Sequence, residues 1–318
     1  MKSTLNKISN SLRKVVLLAI LFLSAAQVKA QYEPHFTQYM FNEMFINPAY
    51  AGARECISAT GLYRKQWVGI DGAPVTETVS IHSPFFDNKM GIGLAVVNEK
   101  IGVTQNTGFN ASYAYRMPLS KGKLSLGLQI GAVNHYEELS KLTTVQSGDA
   151  QFANNTPKLL LPNAGFGAFY YTQKFYAGLS IPHLILNTVD AASIKKVTNK
   201  ASVKDWHYYI TAGYIAKVSD DIKLKPTIMI KEVVGSPMQF DASLNALFVD
   251  VFWLGAAYRT GDAVSAIAGI QITKQLRLGY AYDYTLSKLK KYNTGTHEIT
   301  LGFDFSFDKS KIVSPRFF

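Results

Sequence analysis

From about residue 55 onward the chain is written in segments of roughly ten residues in which apolar side chains alternate with small or polar ones, the period of a β-strand. The clearest sets Leu124, Leu126, Leu128, Ile130 and Ala132 against Ser125, Gly127, Gln129 and Gly131. Phe109, Ala111, Tyr113 and Tyr115 likewise oppose Asn110, Ser112, Ala114 and Arg116. Near the end, Ile299, Leu301, Phe303, Phe305 and Phe307 oppose Glu298, Thr300, Gly302, Asp304 and Ser306. The pattern predicts about fourteen strands, near 55–68, 75–83, 90–98, 106–117, 123–136, 163–171, 174–184, 206–217, 222–232, 238–248, 251–260, 263–272, 275–285 and 296–307. The first two alternate poorly.

A soluble β-sandwich also alternates, so the faces must decide. A sandwich carries many Lys and Glu on its outer face. Here the second face is Gly, Ser, Thr and Asn with scattered charges, and the apolar face is rich in Tyr, Phe and Leu. That combination suits a polar lumen and a lipid-facing wall with aromatic girdles. The fold class predicted is therefore all-β, a transmembrane antiparallel up-and-down outer-membrane β-barrel. An even strand count is what a bacterial single-chain barrel requires. Connection lengths agree: with a periplasmic N-terminus the odd connections are external, and the longest, about 137–162, 185–205 and 286–295, are the fifth, seventh and thirteenth. Even ones at 172–173, 219–221 and 273–274 are tight.

Before the barrel, residues 1–30 combine a basic start, an apolar run over 15–23 and small residues ending at Ala30, the pattern of a cleaved secretory signal peptide. The run is shorter than the roughly 20 residues a spanning helix needs. Removing the leader with its five basic residues takes the formal charge from +11 to +6. No Lys/Arg-rich tract remains, so nucleic acid is not an expected partner. Cys56 is the sole cysteine, which excludes an intramolecular disulfide and a multi-cysteine metal site. The resulting organisation is a signal peptide (1–30), a periplasmic or plug-like segment (31–54), the barrel (55–307) and a periplasmic tail (308–318).

Enzymatic signals are poor. None of the six histidines is spaced with a His, Cys or carboxylate as a metal site requires. His297-Glu298, with Asp283 on the preceding strand, invites a catalytic reading, against which stands that of a polar lumen residue beside a loop. No nucleophile elbow, phosphate loop or calcium loop occurs. No catalytic residue, cofactor or metal is expected. The alternation instead points ten charges inward: Arg64, Arg116, Lys225, Lys231, Asp241, Arg259, Arg277, Asp283, Glu298 and Asp304. They form either a salt-bridge network that closes a narrow lumen or a lined channel or docking surface, with Lys231, Asp241, Arg259, Arg277, Asp283 and Glu298 as candidate lumen or partner contacts. The segment 31–54 is unlike the rest. It is rich in Phe, Tyr and Met, includes Phe41, and continues into Asn47, Pro48, Tyr50 and Gly52. So apolar a stretch is expected to pack inside the barrel or against a partner.

The segment holds Gln38-Tyr39-Met40-Phe41-Asn42 with Asn47-Pro48-Ala49-Tyr50-Ala51-Gly52, followed by Arg64-Lys65-Gln66-Trp67, Gly91-Ile92-Gly93, Tyr176-Ala177-Gly178-Leu179-Ser180-Ile181-Pro182, His207-Tyr208-Tyr209 with Gly213-Tyr214, and Lys231. Trp253-Leu254-Gly255 with Tyr258-Arg259, Gly279-Tyr280-Ala281-Tyr282-Asp283 and Gly295-Thr296-His297-Glu298-Ile299 complete the set. On these residues the chain resembles the PorP/SprF family of the type IX secretion system, confined largely to Bacteroidota. The resemblance implies a non-enzymatic outer-membrane component of the type IX secretion or gliding machinery. It supports export or surface anchoring of a large secreted protein or adhesin. The partners implied are outer-membrane lipids, the periplasmic ring lipoprotein complex or a peptidoglycan-binding protein, and a surface adhesin or its C-terminal sorting domain. The competing reading is an outer-membrane channel for small solutes or lipids.

Overall fold

A computed structural model describes residues 34–142, 154–189, 197–203, 206–234 and 236–305. The predicted leader and tail lie outside the described residues. Fourteen strands close into one antiparallel barrel: β1 Ile57–Lys65, β2 Val75–Phe85, β3 Met90–Ile101, β4 Thr104–Leu119, β5 Gly122–Glu137, β6 Leu159–Tyr171, β7 Phe175–Ile181, β8 His207–Tyr214, β9 Ile222–Val233, β10 Gln239–Phe248, β11 Phe252–Arg259, β12 Ala263–Gln271, β13 Leu276–Thr285 and β14 Thr296–Phe305. Each strand pairs with its sequence neighbours, and β1 closes the ring against β14, from Ile57 opposite Phe305 to Lys65 opposite His297. Closure gives every strand a partner on each side, so no strand stands at an open edge of the sheet.

The alternation read from the sequence sets the faces. Leu128, Ile130, Leu94 and Val79 are 60–70% exposed on the outside. A continuous apolar surface of this kind suits lipid and not water. The opposite positions, among them Ser58, Thr60, Thr76, Thr78, Ser80, Thr227 and Ser243, are buried and polar. No helix among the described residues is long and apolar enough to cross a membrane, which the strands do instead.

Two ends can be distinguished. At the end that holds the start of β1 and the close of β14, connections are short, as at 86–89, 120–121 and 172–174. The long connections 138–158, 182–206 and 286–295 lie at the far end. Not every far-end link is long: β3 and β4 are joined by Gly102-Val103 alone, with Gly102 at φ +57° as a two-residue hairpin demands.

Most expected boundaries move by one to three residues, and three changes bear on the lumen. β6 begins at Leu159, not 163, and β7 stops at Ile181, because the chain turns inward at Pro182, which has no N–H for a ladder. β8 pauses at the buried Ile215 before Ala216–Lys217 rejoins β9. The connection after β7 contains a small hairpin, Leu186–Val189 with Val197–Lys200, outside the barrel sheet.

Candidate functional site: the filled lumen

The hydrophobic core lies inside the ring, and the segment before β1 supplies much of it. Residues 34–54 run through the lumen as three short turns, Tyr39–Phe41, Glu43–Ile46 and Pro48–Tyr50. Phe36, Tyr39, Met40, Phe41, Met44 and Ile46 are all buried. Phe36, Tyr39 and Phe41 pack with Met229, Trp253 and Ile267, while Met44 and Tyr50 pack with Phe169 and Tyr176. Burying each large apolar side chain contributes about 1.5–3 kcal/mol, which explains why the segment is not left in water. Asn47 shapes the last turn: its side chain accepts from the Ala49 N–H at 3.0 Å, and Pro48 occupies the first position, where no N–H is needed.

The wall is cut to receive this plug. A Cβ added at Gly91 would lie 2.0 Å from the Ala51 carbonyl oxygen, one at Gly127 2.2 Å from the Ala49 nitrogen, and one at Gly167 2.0 Å from Asn47 Oδ1. These glycines therefore admit the plug backbone. Lumen hydroxyls and guanidinium groups satisfy its carbonyls. Ser180 donates to Ile46 at 2.9 Å, Ser125 to Ala49 at 2.7 Å and Arg116 to Ala51 at 2.7 Å. The Gly52 N–H donates to His82 Nδ1 at 3.1 Å, the Tyr39 hydroxyl pairs with Thr227 at 2.9 Å, and the Asn47 amide donates to the Ala168 carbonyl at 3.0 Å.

Two charged clusters hold the ends of the plug. In the far half Arg64 donates to Glu298 at 2.8 Å and to Asp283 at 2.7 Å. Arg259 bonds Asp241 at 3.1 Å and the Phe36 carbonyl at 3.2 Å. The Glu298 carboxylate accepts the backbone N–H groups of Thr37 and Gln38 at 2.9 and 2.7 Å, and the Thr37 hydroxyl donates to Asp283 at 2.8 Å. Lys231 Nζ lies 3.0 Å from His35 Nδ1 and 5.1 Å from the centre of the Tyr209 ring. In the other half Asp304 is bonded by Arg54, by Arg277 at 3.0 Å and by the Ser58 hydroxyl at 2.6 Å. Lys225 sits over the Phe41 and Tyr176 rings at 5.6 and 5.9 Å.

All ten charges expected to point inward are buried. The six singled out, Lys231, Asp241, Arg259, Arg277, Asp283 and Glu298, divide between the two clusters, with Arg277 apart from the other five. Phe41, Asn47, Pro48, Tyr50 and Gly52 lie in the plug. Sequence reasoning missed the charges the plug itself brings, Glu43 and Arg54. Their signal was present, since each is a charge within an otherwise apolar stretch. His297 and Glu298 point to opposite faces: Glu298 is in the lumen, whereas His297 faces outward and bonds the Tyr280 hydroxyl at 2.7 Å. They do not form a pair. Among the described residues no group of three or more His, Cys, Asp or Glu is placed to hold a metal.

A family model described as type IX secretion system membrane protein PorP/SprF matches residues 28–303. No curated protein matches the sequence. Similar solved structures include Omp33 of Acinetobacter baumannii, at 7% identity and a TM-score of 0.48 over 79% of this chain and 98% of that one. A FadL homologue of Pseudomonas aeruginosa has 11% identity and a TM-score of 0.44 over 86% and 95%. The KdgM porin has 9% identity and a TM-score of 0.37 over 78% and 99%.

Proposed function

Because the chain belongs to the PorP/SprF family of type IX secretion system membrane proteins, we propose that this outer-membrane barrel works by holding proteins and not by conducting solutes or by catalysis. It supports export or surface anchoring of a large secreted protein or adhesin. The observation that carries this reading is the filled lumen. Pro34 to Arg54 occupy it from the far-end cluster around Glu298 to the cluster around Asp304, and bonds to the wall hold both ends. Most wall charges meet one another, the plug backbone or plug side chains such as Arg54 and His35, which favours the structural account of the inward charges over a lined channel.

In this reading the end with short connections faces the periplasm and the long connections face the surface, as the connection lengths support. The segment before β1 then climbs the lumen from Arg54 toward the surface end, so in this orientation it is the start of β1, and not Pro34 at the head of the plug, that lies on the periplasmic side expected of the N-terminus. Its buried residues are an internal brace and not a free periplasmic docking strand. The periplasmic turns meet the ring lipoprotein complex or a peptidoglycan-binding protein, and the connections 138–158 and 182–206 meet the exported protein or its C-terminal sorting domain. Affinity purification of the tagged chain from detergent-solubilised outer membranes should recover an adhesin or a ring component. Recovery of the barrel alone from cells that secrete normally would count against the reading.

A further inference from the structure

The barrel wall is incomplete in one place. β6 pairs with β5 along its whole length, but with β7 only from Phe166 to Tyr171, so residues 159–165 have no ladder on that side. β7 has seven residues, fewer than the roughly 9–11 of a tilted spanning strand. Beyond Ile181 the chain turns inward. Pro182 is buried, and its carbonyl accepts from the lumen-facing Asn163 at 2.9 Å. The Leu184 N–H returns to the Ala164 carbonyl at 2.8 Å. The gap is thus covered by a folded-in loop and not by a strand.

Behind that loop lies a cavity of about 560 Å³, within the roughly 300–1,000 Å³ typical of ligand pockets. Much of its lining is apolar, Phe36, Phe45 and Ile46 from the plug and Val133, Leu161 and Met229 from the wall, with Asn106 and Asn110 as polar wall groups. Glu99, Glu137 and Lys231 lie toward the far-end rim. The outer surface beside the gap is also apolar, with Leu160, Phe166 and Leu179 exposed to the lipid side. An apolar cavity walled from a lipid-facing apolar surface by the loop at Pro182 and His183, with its charges gathered at one rim, matches an amphiphile: chain inside, headgroup at the rim. We propose that this cavity binds a single acyl chain of an outer-leaflet lipid, which enters sideways between β6 and β8 past Pro182, His183 and Leu184. The site stands apart from the question of which exported protein the barrel holds.

The test uses the full mature chain in vesicles of phosphatidylcholine and phosphatidylglycerol that carry palmitate with a diazirine on its chain. After irradiation, adducts are expected on the lumen-facing Val133 and Leu161. They should saturate with palmitate concentration, be displaced by unlabelled palmitate, and be lost in Leu161→Trp, while adducts on the outward-facing Leu128 stay unchanged. Displacement in the wild-type chain gives the answer even if the variant fails to fold. Adducts confined to outward-facing residues such as Leu128, Leu160 and Leu179, or lumenal adducts that unlabelled palmitate does not displace, overturn the proposal. So does a photoreactive residue at position 161 that captures a co-purifying polypeptide and no lipid, since the cavity would then serve a protein segment.

Discussion

Replacing Glu298 by alanine should free one end of the plug while leaving the barrel closed. Its carboxylate accepts the Thr37 and Gln38 backbone N–H groups and pairs with Arg64, and it is wholly buried. Hydrogen bonds to a charged group contribute about 1.5–3 kcal/mol each, so the two backbone bonds together hold roughly 3–6 kcal/mol. Arg64 keeps Asp283 as a partner, and removing one of two neighbouring carboxylates relieves some repulsion, so a local loss near 3 kcal/mol is expected. Because every 1.4 kcal/mol is a factor of ten, amide hydrogen exchange at Thr37 and Gln38 should accelerate by roughly a hundredfold. Exchange at Ala49 and Gly52, held by Asn47 and His82 at the other end, should hold steady. Glu298→Gln keeps an acceptor and should give a smaller acceleration. The reasoning fails if Thr37 and Gln38 exchange as before, or if exchange rises equally along the plug and the strands.

Planar-bilayer recordings of the wild-type barrel should be silent at voltages where porins conduct, and deletion of residues 36–53 should produce steady conductance; a conducting wild type would refute the account of the filled lumen. Gly91→Val places a side chain where the Ala51 carbonyl lies and should lower stability by about 1–3 kcal/mol, read as a lower denaturant midpoint in detergent.

Faces were legible in the sequence because alternation assigns each strand residue to one side whatever its partner. Hence Leu128 and Ile130 fall outside, and Arg64, Asp283 and Glu298 inside. Partnership was not legible, because it depends on register and on the path of the plug. That Arg64 meets both Asp283 and Glu298 follows from β1 closing against β14, and nothing near residue 64 announces it. The bulk of Phe36, Tyr39 and Phe41 marked 31–54 as a filler, yet its route needed the hollows at Gly91, Gly127 and Gly167, which look like any other small residues in a strand. The short β7 was read three residues too long because Pro182 follows an unbroken apolar pattern.

The seam between the first and last strands carries a consequence for biogenesis. The plug is translated before any strand, yet its anchors Asp283, Glu298 and Asp304 belong to the final two, so Thr37 waits for a partner 261 residues downstream. The zipping of β14 onto β1 both shuts the cylinder and clasps what is inside it. A chain that stalls before its last strand can therefore have neither a sealed wall nor a seated interior, and completion of the ring proofreads the occupancy of its own channel.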